Sequence, residues 1–194
     1  QRMYTRTVST QFSIAGYLFL VLWVDLEDLF TFIRPEFGVA YASAMIISAS
    51  SLLNMAVGLN AGIITMSRNF RFDSVSSLLL LGCNAVMNWF LIQRMGITGA
   101  AWSTLVSLAM VLGLRVWYLW SRFRLWPYSW RSLVIPAAIL CIGGLVGALP
   151  LLGVPWQDII VRSAIATVLY WPLMARLKVA PELWDRVLAL ARKA

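Results

Sequence analysis

Apolar runs separated by short charged or proline-bearing breaks make up most of this chain. Six of them, over residues 9–30, 40–66, 74–92, 98–120, 133–152 and 159–173, approach or reach membrane-spanning length. A helix needs roughly 20 mainly apolar residues to cross a hydrocarbon core of about 30 Å. The pattern therefore predicts an all-α membrane protein, a bundle of about six transmembrane helices over residues 1–176, with the last span short. Beyond Pro181, Leu183, Trp184, Val187, Leu188 and Leu190 alternate with Glu182, Asp185, Arg186 and Arg192. That segment reads as an amphipathic helix, so residues 177–194 are expected to form a basic tail on the cytoplasmic surface.

The breaks differ in charge, and the difference predicts orientation. With a cytoplasmic amino terminus, Arg2, Arg6, Arg68, Arg71, Arg122, Arg124, Arg131 and the tail residues Arg176, Lys178, Arg186, Arg192 and Lys193 share one side. The other side holds Arg34 and Arg94, with Arg162 just inside the last span, beside the acids Glu36 and Asp158. Loops on the cytoplasmic side carry the excess of Lys and Arg, so both termini are expected there.

Composition narrows the class further. Of 194 residues, 61% are hydrophobic and only 12% charged, and the mean hydropathy is +0.79, which is too apolar for a soluble domain of this length. A net charge of +8 invites a nucleic-acid reading, but the arginines cap apolar runs and build no continuous basic face, so no nucleic-acid partner is expected. Membrane lipid is the expected partner. Cys83 and Cys141 lie far apart within apolar runs and read as small buried side chains. Without a single histidine, and without a Walker-type loop or a carboxylate pair beside a nucleophile, neither catalysis nor a metal or other cofactor is expected. The chain begins with Gln1 and lacks a signal-peptide pattern, which reads as a fragment of a longer protein.

Small residues mark where helices could approach closely. Gly58 with Gly62 and Gly143 with Gly147 form GxxxG pairs, which either bring backbones together or reflect the ordinary abundance of glycine in such helices. Trp23, Trp89, Trp102, Trp120, Trp126, Trp156 and Trp171 cluster towards span ends and read as interfacial belts.

The polar residues inside the runs are the candidate site. Asn54 and Asn60 fall in the second run, and Asn84 and Asn88 lie one turn apart in the third. An amide facing lipid is costly, so these side chains should either bond to neighbouring helices or line a wet substrate path. Arg115 reads as the one basic residue well within a span, and is open to snorkelling, structural pairing or contact with an anionic substrate. Asp25, Glu27 and Asp28 follow roughly 18 mostly apolar residues and are expected to be solvated at the outer interface.

The stretch 84–107, NAVMNWFLIQRMGITGAAWSTLVS, resembles the carboxy-terminal half of polysaccharide flippases of the multidrug, oligosaccharidyl-lipid and polysaccharide exporter superfamily. The elements that carry the resemblance are Asn84, Asn88, Leu91, Ile92, Gly96, Gly99, Ala100 and Ala101; upstream, residues 37–44 and the basic turn at 67–72 are similar as well. Gln93 and Arg94 stand where the family usually has a proline. The resemblance extends over roughly residues 20–131 and implies one lobe of a two-lobe transporter of the bacterial inner membrane, its partner lobe missing from this chain. It implies a lipid-linked oligosaccharide substrate, whose pyrophosphate would suit Arg115 by charge. A multidrug or cation exporter of the same superfamily and a non-transporting membrane scaffold are the alternatives.

Overall fold

The computed structural model describes residues 2–33, 39–57, 64, 70–124, 130–149 and 155–177. Their order is α1 (Arg2–Ile33), α2 (Val39–Val57), α3 (Phe70–Met95), α4 (Ile97–Phe123), a 3-10 turn (Trp130–Leu133), α5 (Val134–Gly147) and α6 (Pro155–Arg176). The described residues contain no strand. Five of these helices contain stretches long and apolar enough to cross a membrane; α5, with 14 residues, is shorter.

Two boundaries depart from the hydropathy pattern. The sixth span, expected to be short, is the 22-residue α6, and the short one is α5. Hydropathy places the start of the sixth run after Asp158, yet that acid and Arg162 are buried and helical. For Arg162 a partner on α1, Asp28, replaces water, a circumstance invisible to a window average. Pro172 lies inside α6, which nonetheless continues to Arg176. The second run keeps its start but is helical only through Val57 as a described element, with Ile64 helical beyond it. Asn60, Gly58, Gly62, Arg68, Trp126 and the amphipathic tail beyond residue 177 lie outside the described residues.

The chain falls into two compact units. The first contains α2, α3 and α4, with α4 packed on both of the others. Its α3–α4 hairpin turns at Gly96, whose φ of 59° and ψ of −134° suit glycine alone. Three residues on, a Cβ at Gly99 would fall 2.2 Å from the Leu91 carbonyl oxygen, so glycine is also what lets the two backbones meet. At the far end of the hairpin, Phe72 stacks on Tyr118 with centroids 3.8 Å apart. Ser43 on α2 and Thr98 on α4 share a hydroxyl hydrogen bond of 3.3 Å.

The second unit contains α1, the 3-10 turn, α5 and α6. Its interior is built around Tyr170, fully buried, whose hydroxyl donates to the Ser13 carbonyl at 2.8 Å. Tyr17 packs against Tyr170 and Trp171 with centroids 5.8 and 5.5 Å away, and exchanges a hydroxyl bond with Thr167 at 2.8 Å. Gly143 on α5 is buried against the Trp23 ring, 2.5 Å from where its Cβ would stand, whereas Gly147 has open space around it. Only the first glycine of that GxxxG pair makes a close approach. Trp23 and Trp171 are half-buried packing residues of this unit. Trp89, Trp102, Trp120 and Trp156 remain exposed, as the belt reading requires.

Candidate functional site

Apolar side chains such as Leu78, Leu81, Trp89, Leu140 and Val168 are more than half exposed on these helices, an arrangement that needs lipid around it. Against that background, polar groups inside the spans stand out, and the structure collects them at two places, one in each unit.

The first lies on α3. Ser77, Leu80, Leu81, Asn84, Ala85 and Asn88 line a groove of about 520 Å³. Their spacing of three or four residues puts them on one helix face. The Asn88 amide donates to the Asn84 side-chain oxygen at 2.6 Å, and the Ser103 hydroxyl of α4 donates to the Asn88 oxygen. Asn88 therefore joins the two helices of the hairpin, while Asn84 lines the groove. The hydrogen bonds of Asn88 are the helix-joining role expected of such amides, and Asn84 has its place in the groove lining.

Arg115, reaching across from α4, closes one end of that face. Its Nη2 lies 2.9 Å from an Asp73 carboxylate oxygen, its Nε donates to the Ser76 hydroxyl at 2.9 Å, and Nη2 also donates to the Ser77 hydroxyl at 2.9 Å. The Arg115 side chain is 12% exposed and is paired within the helix hairpin. Of the expected site residues, then, Arg115, Asn84 and Asn88 share the α3 face or its end. Asn54 does not: it is exposed on α2 and lies outside the groove lining. Asp73 and Ser77 were missing from the sequence-based expectation, although Asp73, Ser77, Asn84 and Asn88 are spaced for one helix face. Residue-by-residue reading passes over serines, which are common within membrane helices as backbone-bonded side chains.

The second place corrects two expectations. Asp25 and Asp28 on α1 are not solvated: each is 7% exposed. Arg162 on α6 donates from Nη1 to an Asp28 oxygen at 3.0 Å, and the Ser163 hydroxyl donates to Asp25. Asp158 is buried one turn before Arg162 on the same helix. Because α6 begins at Pro155, Arg162 sits two turns inside it, and Arg115 is not the one basic residue well within a span. Distance along α1 alone places these acids at an interface. The missing information was the position of α6, which supplies the guanidinium and the hydroxyl. Among the described residues, no group of three or more His, Cys, Asp or Glu side chains has the arrangement of a metal site.

The architecture defines a multi-pass α-helical membrane protein. Compared with family models, curated proteins and solved structures, the chain matches none of them.

Proposed function

We propose that this chain is one helical lobe of a flippase that carries a lipid-linked oligosaccharide across the bacterial inner membrane, with both termini cytoplasmic and a second lobe supplied by sequence not present here. The observation that supports the reading is the polar groove on α3, set within a span of otherwise apolar composition. Amide and hydroxyl groups exposed at such depth need a polar partner, and sugar hydroxyls match Ser77 and Asn84 as both donors and acceptors. Transporters of two lobes bind their cargo near mid-membrane between the lobes, where a polar face on one lobe has its place. Arg115 has a narrower role in this reading. Its charge is already matched by Asp73, so it shapes the end of the groove and fixes Ser77, and a pyrophosphate would reach it only by displacing that carboxylate. The cation-exporter alternative is weaker, because no acid is among the residues that line the groove.

The test is complementation of surface polysaccharide export by the complete protein at matched membrane levels. Asn84→Leu keeps the approximate volume and removes the amide; export is expected to fall severely with normal insertion. Unchanged export by this variant refutes the sugar path on α3.

A further inference from the structure

The opposite side of the α3–α4 hairpin carries a second groove, of about 580 Å³, and its character is entirely different. Val75, Leu79, Gly82, Cys83, Ser107 and Met110 are among the residues that line it. The depression exists because its middle is built from small residues: a Cβ at Gly82 would meet no atom within 4 Å, and Cys83 and Ser107 add little bulk. On α3 the lining runs from Val75 to Met87, twelve residues of helix or about 18 Å at 1.5 Å per residue. One leaflet of hydrocarbon, half of a core of about 30 Å, has nearly that depth. The groove is thus as long as one lipid chain is deep.

What lies at its end differs from what lies along it. Counting back from Gly82 through Leu79 and Val75 in helical steps reaches Arg71, which is exposed and stands one turn beyond the groove on the same stripe of α3. Across the hairpin, the matching stripe of α4 leads from Met110 past Gly113, also with open space around it, to Trp117, which is 60% exposed. The stack of Phe72 on Tyr118 puts Trp117 at the level of Arg71. An exposed cation and an exposed indole at this end of an apolar trough are complementary to an anionic headgroup above a hydrocarbon chain.

We propose that this groove is a lipid-binding site, which holds one hydrocarbon chain of an anionic phospholipid whose phosphate is drawn to Arg71. The site lies on the opposite side of α3 from the polar groove and does not depend on the transport reading. Filling the trough should expel the chain, and Gly82 offers a clean way to do so because the space beside it is open and a helix tolerates a larger residue there better than glycine.

The experiment is native mass spectrometry of the intact protein released from nanodiscs of phosphatidylglycerol and phosphatidylcholine. The wild type is expected to retain a single phosphatidylglycerol in preference to phosphatidylcholine. Gly82→Phe should lose the retained lipid of either kind, and Gly82→Leu, a smaller plug, should weaken it, so that the reading survives failure of the larger variant to insert. Arg71→Gln should keep a bound chain but reduce the preference for phosphatidylglycerol about fivefold, the factor that one basic side chain contributes near an anionic surface. Retention of phosphatidylglycerol by both inserted Gly82 variants at the wild-type level overturns the site, as does wild-type protein that shows no lipid preference.

Discussion

Replacing Arg162 by Met should damage this protein more than replacing its partner Asp28 by Leu, and the difference follows from the company that each charge keeps. Arg162 and Asp28 are paired at 3.0 Å, with side chains each 9% exposed. Removing one member of a buried pair leaves an uncompensated charge and costs about 3–5 kcal/mol. Arg162→Met leaves Asp28 without its cation and in the field of Asp158, with Asp25 also close enough to interact. The full penalty is therefore expected. Asp28→Leu leaves Arg162 with Asp158 one turn away on its own helix and with Asp25 on α1, so the guanidinium keeps counter-charges. Its loss should be nearer that of a single hydrogen bond to a charged group, about 1.5–3 kcal/mol. Unfolding of purified variants in bicelles, followed by helicity against denaturant, measures both, and the double variant completes the cycle. Equal losses for the two single variants, or a loss below about 0.5 kcal/mol for Arg162→Met, would refute this account of the cluster, the latter value being that of an ordinary surface change.

Other expectations follow from the same geometry. Gly143→Leu should cost about 1–3 kcal/mol by forcing the Trp23 ring aside, whereas Gly147→Leu should be tolerated because nothing lies within 4 Å; thermal unfolding in detergent separates the two. Arg115→Lys keeps the charge near Asp73 but cannot reproduce the bonds from Nε and Nη2 to Ser76 and Ser77, so its stability should fall between wild type and Arg115→Ala in the same assay. Gly96→Ala should destabilise the α3–α4 hairpin by about 1–3 kcal/mol through its backbone conformation alone, read as the same melting shift, with no clash to relieve since the space around it is open. Tyr170→Phe, which removes the hydroxyl bonded to the Ser13 carbonyl and no other atom, should cost about 0.5–1.5 kcal/mol.

The helical class and the approximate number and order of the spans were legible in the chain because they depend on a property summed over about 20 residues, the transfer of a whole segment into hydrocarbon. Gly96 and Gly99 stand out in the sequence as elements of the resemblance, and the structure gives them the turn and the close approach that need glycine. Pairing was not legible. Arg115 could have snorkelled, paired or waited for a substrate until α3 placed Asp73, Ser76 and Ser77 around it. Asp25 and Asp28 looked solvated until α6 brought Arg162 and Ser163 against them across more than a hundred residues of chain. The same contacts bear on why α6 begins earlier than its hydropathy: Arg162 is unfavourable in lipid taken singly and acceptable once matched by Asp28 on α1. Hydrophobicity is additive along a segment and can be read from sequence; the cost of a buried charge depends on what stands within a few ångströms of it, and only the tertiary structure decides that.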